Sequence, residues 1–271
     1  MNERPLPMFG PGSDPGPSFT ELLRRTSPPD AATPLATGGQ QAPADIAHGT
    51  TVVAIRFGEG VVLAGDRRAT AGFAIASRRI EKVFAADEHS GIAFAGAAGP
   101  GNDMVRLFQT QLEHYEKIEG ESLSLEGKAN QLAQMVRANL PAAIQGLVVV
   151  PLFAGYDERR SRGRVFSFDV AGGKYEETDF QVNGSGGVHA KNWIKAQWRE
   201  GLMADETIDL AIRSLFAAAD EDTATGGPDL VRRIFPTVAV VDADGFRLMT
   251  DEEVEPRATA LLGGREEGAG Q

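Results

Sequence analysis

The sequence predicts an α+β fold in which two sheets face each other and helix pairs cover their outer sides, a four-layer αββα sandwich. Three observations predict it. Strand-like and helix-like patterns come in blocks, in the order strands, two helices, strands, two helices, strands. The helical segments carry apolar stripes, and each stripe needs a sheet to cover. One strand pattern, GIAFAGAA, is almost wholly apolar, so both of its faces should be buried.

TTVVAIRF and GVVLAGD are Val-rich strands joined by the short turn Gly58 to Gly60. After GIAFAGAA, the stretch DMVRLFQTQLEHYEKIEG sets Met104, Leu107, Phe108, Leu112 and Tyr115 in a helical stripe that Gly120 ends. LEGKANQLAQMVRANL repeats the stripe with Leu132, Met135, Val136 and Leu140, and Pro141 kinks or splits this second helix. LVVVPLFAGYD and RVFSFDV read as strands on either side of the turn DERRSRGR. KYEETDFQVNGSGG reads as one further strand ending in glycines. Helices follow at VHAKNWIKAQWRE and TIDLAIRSLFAAAD, and the strands FPTVAVVDADG and FRLMT finish the core across an Ala-Asp-Gly turn.

Composition divides the chain. Residues 1–49 form a leader rich in Pro, Gly, Ala, Ser and Thr that cannot bury enough surface to fold alone. It has no apolar core of a secretory signal. Within it, SFTELLRR pairs Ser18 with Glu21 in a capping box and sets Phe19, Leu22 and Leu23 on one face of a short helix. That helix is either transient or a docking element for assembly. Residues 50–262 form the folded domain, and 263–271 read as an unstructured acidic tail. A net charge of −11 argues against nucleic-acid and anionic-membrane partners. No apolar run approaches the roughly 20 residues of a membrane span. The absence of cysteine excludes disulfides and thiol nucleophiles and fits a cytoplasmic setting. His48, His89, His114 and His189 are scattered without ligand spacing, so no metal is expected. GAAGPGND lacks the Lys-Ser/Thr of a P-loop and no GxGxxG follows a strand, so no nucleotide cofactor is expected either.

The chemistry concentrates between His48 and Ala98. The Gly49-Thr50 bond lies where the leader meets the first strand. Cutting it would give Thr50 an α-amine and a hydroxyl joined through one residue. Such an amine has an ordinary pKa of about 7.7–8.0 and can accept a proton from the hydroxyl, directly or through water. Asp66 follows Thr50 by sixteen residues at the end of the second strand, and Lys82 follows by thirty-two. A hairpin returns Asp66 beside Thr50, and a third segment can return Lys82 to the same end. There the pair would lower the hydroxyl's proton affinity. Gly96, where glycine allows close approach, is the candidate oxyanion donor through its N–H.

TTVVAIRF, GVVLAGDRRAT, the lysine of EKVF, FAGAAG, NGSGG and DEDTATGGPD, in this order, resemble a β-type subunit of the 20S proteasome, above all its actinobacterial form. The likeness runs from about Gly49 to Asp251. It implies the N-terminal nucleophile hydrolase fold, the same αββα sandwich, and a threonine-type endopeptidase made as a precursor that cleaves itself at Gly49-Thr50. It implies Thr50, Asp66, Lys82 and Gly96 as catalytic residues and adds Ser185, Asp222 and Thr225 around the terminal amine. Thr225 stands where many relatives have serine. Ala69, Thr70, Ile80, Phe84, Phe94, Ala98 and Asn102 are then the substrate pocket. They carry no carboxylate, which implies cleavage after apolar residues, with Phe94 limiting depth. Implied partners are seven-membered β rings stacked on α rings, a regulatory ATPase ring, and unfolded or ubiquitin-like-tagged cytoplasmic proteins; no cofactor is implied. Two other readings share the motifs: a two-ring bacterial protease without α partners, and a non-catalytic ring subunit.

Overall fold

The computed structural model describes residues 49–268 apart from Phe73, and the SFTELLRR stretch lies outside them. The two Val-rich patterns become antiparallel strands β1 (Thr51–Arg56) and β2 (Val61–Gly65), with Val52 opposite Gly65 and Ile55 opposite Val62. Their side chains alternate with period two. Val52, Ala54, Val61 and Leu63 face a central apolar layer, whereas Val53, Ile55, Val62 and Ala64 face an outer one.

The remaining strands are β3 (Ala69–Ala71), β4 (Ala74–Ser77), β5 (Val83–Asp87), β6 (Ser90–Gly96), β7 (Val149–Asp157), β8 (Arg162–Phe168), β9 (Lys174–Glu177), β10 (Phe180–Gly184), β11 (Thr237–Asp242) and β12 (Gly245–Leu248). One five-stranded sheet runs β10-β1-β2-β11-β12, the other β5-β6-β7-β8-β9, and β3-β4 form a separate hairpin. Val52, Leu63, Ala93, Leu152, Val165 and Val241 fill the space between the two sheets. On the outer side of the first sheet, Ala190 and Ile194 of α4 (Gly187–Gln197) and Ile208, Ile212, Leu215 and Phe216 of α5 (Ala204–Glu221) cover Val53 and Ile55. On the second, Met104, Phe108 and Leu112 of α1 (Ala98–Glu119) and Leu132 and Val136 of α2 (Leu125–Ala138) cover Ile92, Phe94 and Phe153. The four-layer αββα order expected from the blocks is therefore the one observed.

Helix ends follow the sequence signals. Gly120 closes α1 in the left-handed region with φ of 74°. Ser124 caps α2 by accepting the Gly127 N–H at 3.1 Å. The chain breaks at Asn139, and Pro141 sits in the first turn of the short α3 (Leu140–Ile144), so the expected interruption is a clean split.

Two features depart from expectation. KYEETDFQVNGSGG is not one strand: β9 edges the second sheet beside β8, and β10 edges the first beside β1. The chain crosses between sheets at Thr178 and Asp179, where the Asp179 carbonyl accepts the Arg56 N–H at 2.8 Å. Both pieces are polar edge strands, so no change of hydrophobic period marks the crossing. After β12 an unexpected helix, α6 (Asp251–Gly268), continues through residues 263–268, where composition predicts an unstructured tail. Its start is a capping box, with Glu253 accepting the Thr250 N–H at 2.8 Å and Thr250 accepting the Glu253 N–H at 3.3 Å. Val254 and Ala258 anchor the helix on the outer layer.

Candidate active site

The hairpin geometry brings Asp66, just past β2, beside the start of β1. Its Oδ1 accepts the Thr51 N–H at 2.8 Å and the Lys82 ammonium at 2.7 Å. Its Oδ2 accepts the backbone N–H groups of Arg68 and Gly226, each at 2.8 Å. Four donors therefore serve one carboxylate whose residue is 1% exposed, which is what burying such a charge requires.

Lys82 is equally buried, and its Nζ donates to Asp66, to the Arg68 carbonyl at 2.5 Å and to the Gly49 carbonyl at 3.2 Å. Three acceptors match the three protons of an ammonium. Burial pulls the Lys82 pKa below the ordinary lysine value, and the attraction of Asp66 opposes that fall.

The Gly49 carbonyl oxygen is the point of convergence. Besides Lys82 it accepts the Thr50 hydroxyl at 2.6 Å, and Thr50 itself is only 4% exposed. The position admits no side chain. A Cβ on Gly49 would stand 2.5 Å from Thr70 Oγ1, 2.7 Å from the Ala224 carbonyl oxygen and 2.8 Å from the Ala224 Cβ. Thr70, a candidate pocket residue, thus packs beside the residue that precedes the bond the sequence marks for cutting.

Ser185, Asp222 and Thr225 meet on the other side of Thr50. The Ser185 N–H donates to the Thr50 carbonyl at 3.0 Å, while its hydroxyl donates to Asp222 Oδ2 at 2.5 Å. The Thr225 hydroxyl donates to the same oxygen at 2.6 Å, so threonine delivers the bond that serine would. The Ala224 N–H reaches Asp222 Oδ1 at 3.1 Å. Burial pushes the Asp222 pKa up, but the donors Ser185, Thr225 and Ala224 together outweigh it and hold the carboxyl below its ordinary range.

Gly96 ends β6 with φ of 113°, and a Cβ there would lie 2.0 Å from the Val148 carbonyl oxygen, so glycine is required. Its N–H is not among the donors to the Gly49 carbonyl; Lys82 and the Thr50 hydroxyl fill that role in the uncut chain. The other pocket candidates fall on several elements, with Phe84 and Phe94 in β5 and β6 of the second sheet. Ala69 lies in β3, Ile80 donates its N–H to the Arg67 carbonyl at 3.1 Å, and Ala98 and Asn102 occupy the first turns of α1. Phe84 and Phe94 stack with centroids 6.0 Å apart and planes 1° from parallel. Phe94 faces the layer beneath α1, where a Cβ on Gly101 would strike its ring at 2.2 Å.

Sequence reasoning missed Thr51. Its side chain is fully buried, its N–H serves Asp66, and its hydroxyl lies between Gly186 and Thr225. The available signal was a hydroxyl at a strand position otherwise held by valines.

Residues 46–231, which span every candidate site residue from Gly49 to Gly226, match the family model described as proteasome subunit. The chain belongs to the proteasome subunit family. Its curated relatives place it in the β type. A proteasome subunit beta of Acidimicrobium ferrooxidans is 57% identical over 94% of this chain and 93% of its own length. Those of Acidothermus cellulolyticus and Streptomyces griseus are 52% and 50% identical over 92% and 95% of this chain, and over 87% and 91% of their own lengths. The β-type proteasome subunit is a peptidase-family chain that assembles into rings. Among its described residues no helix is long and apolar enough to cross a membrane.

Proposed function

We propose that this chain is the precursor of a threonine-type endopeptidase, activated when Thr50 cuts the bond that precedes it. The observation that carries the proposal is the pair of donors on the Gly49 carbonyl oxygen: the Thr50 hydroxyl at 2.6 Å and the Lys82 ammonium at 3.2 Å. Thr50 Oγ attacks the Gly49 carbonyl carbon, and the oxygen that gains negative charge already faces a cation in a dry site. The proton leaves Oγ as the bond to carbon forms and ends on the Thr50 nitrogen as the C–N bond breaks, leaving Gly49 esterified to Oγ. Water hydrolyses that ester. The products are a leader ending in the Gly49 carboxylate and a mature chain beginning with the free amine of Thr50.

In the mature chain the same oxygen attacks substrate peptides, with the amine as proton acceptor. Asp66 keeps Lys82 charged and in place. Ser185, Asp222 and Thr225 order the surroundings of the amine, and the Gly96 N–H serves the substrate's oxyanion. Ala69, Thr70, Ile80, Phe84, Phe94, Ala98 and Asn102 receive an apolar side chain on the amino side of the cut. The working particle carries seven-membered β rings stacked on α rings, and an ATPase ring feeds it unfolded or tagged cytoplasmic proteins.

The test is a comparison of wild type and Thr50→Ala by intact mass and peptidase assay. The variant should keep its leader and cleave nothing. Leader loss in Thr50→Ala would overturn self-cleavage, and peptidase activity in that variant would overturn the nucleophile.

A further inference from the structure

The residue after the proposed nucleophile holds the two halves of the site together. Thr51 is fully buried at the start of β1. Its backbone N–H donates to Asp66 Oδ1 at 2.8 Å, on the Lys82 side. Its hydroxyl accepts the Gly186 N–H at 3.0 Å and lies 2.6 Å from the Thr225 hydroxyl. Thr225 spends its own proton on Asp222 Oδ2, at 2.6 Å. The direction of the remaining bond follows, because each hydroxyl has one proton to give. Thr51 must donate to Thr225, and the order runs Gly186 N–H, Thr51 hydroxyl, Thr225 hydroxyl, Asp222 carboxylate.

The backbone is shaped around this chain. A Cβ on Gly186 would stand 2.6 Å from Thr225 Oγ1 and 2.8 Å from Thr51 Oγ1, so glycine leaves room for both hydroxyls. No other proton order satisfies all three buried groups, and a valine of the same shape at position 51 would leave the Gly186 N–H without its acceptor.

We propose that Thr51 is a positioning residue for the peptide-cutting step: its hydroxyl fixes the orientation of Thr225 toward Asp222, and its N–H ties that group to the Asp66–Lys82 pair. This inference rests on the reading of Thr50 as nucleophile. The hydrogen-bond partners of the Thr51 hydroxyl, Gly186 and Thr225, are neither the scissile carbonyl nor pocket candidates. Its loss should therefore act on the chemical step and not on peptide binding.

The experiment compares wild type, Thr51→Val, Thr51→Ser and Thr50→Ala, each expressed as the full chain and assembled. Leader removal is followed by intact mass, and kcat and KM are measured with a fluorogenic peptide ending in Leu. Thr51→Val removes the hydroxyl at constant shape and should lower kcat about tenfold, one hydrogen bond's worth, with KM changed less than about twofold. If its leader is retained, the rate of leader loss is the corresponding readout and should fall by a similar factor. Thr51→Ser keeps the hydroxyl and should recover kcat to within about threefold of wild type. Should Thr51→Val not assemble, Thr51→Ala, with room for a water to bridge Gly186 and Thr225, takes its place and should fall between the two. Wild-type kcat in the hydroxyl-free variant, equal impairment of Thr51→Ser, or a loss confined to KM would each overturn the inference. Activity in Thr50→Ala would instead overturn the underlying reading of the nucleophile, whatever the Thr51 variants do.

Discussion

Gly49→Ala tests the geometry of self-cleavage without altering any residue that survives in the mature enzyme. The added methyl would sit 2.5 Å from Thr70 Oγ1 and 2.7 Å from the Ala224 carbonyl oxygen. That is about 1 Å inside the roughly 3.5 Å at which non-bonded atoms rest. Thr70 lies in a strand, and the Ala224 contacts are a carbonyl oxygen and a Cβ that no side-chain rotation can move, so relief falls mainly on the segment carrying the Gly49 carbonyl. That carbonyl is the group Lys82 and the Thr50 hydroxyl must meet, and a misplacement of about 1 Å is enough to slow a reaction about 100-fold. Leader removal, followed by intact mass over time after assembly, should slow by about 10- to 100-fold. Gly49→Ala with Thr70→Ala should recover part of the loss, because only the Ala224 contacts then remain. Chains that do mature should cut peptides at the wild-type kcat, since residue 49 has left them. Wild-type processing of Gly49→Ala would refute the argument that the tight fit around this glycine positions the bond for attack.

Two further outcomes follow from the charged groups of the site. Lys82→Ala leaves the buried Asp66 carboxylate with its three N–H donors but no counter-charge, and removing one partner of a buried ion pair costs about 3–5 kcal/mol. Thermal unfolding should drop by roughly 10 °C, and the leader should remain attached; a variant as stable as wild type would contradict the pairing. Asp222 has a folded-state pKa held below the ordinary 3.8, so its contribution to stability is present above that pH and lost as pH falls through the lower folded value. Asp222→Asn should therefore flatten the fall in melting temperature below about pH 4, and an unchanged acid limb would contradict it.

Much of the fold was legible because its signals are periodic. The alternation of Val52 and Val53, or of Leu63 and Ala64, reports directly on a strand buried on both faces, and the stripe from Met104 to Leu112 reports on a helix covering a sheet. The β9–β10 crossing was hidden because edge strands such as KYEE have no apolar period to interrupt. The helix after Thr250 was hidden by its weak apolar stripe and by Pro256, although its capping box stands in the sequence. At the site, the spacing of Asp66 and Lys82 after Thr50 was enough to bring them together once a hairpin was assumed, and they meet at 2.7 Å. Ser185, Asp222 and Thr225 were reached only by resemblance, since loops more than 130 residues away carry no local signal for Thr50. Thr51 was passed over because a threonine in a strand is ordinary until its hydroxyl is seen to be buried and bonded.

The most direct measurement is the mass and first residue of the chain recovered from particles that are actively cutting peptides. The account predicts a chain that begins at Thr50 with a free amine. Active particles whose chains still join residue 49 to residue 50 would contradict it.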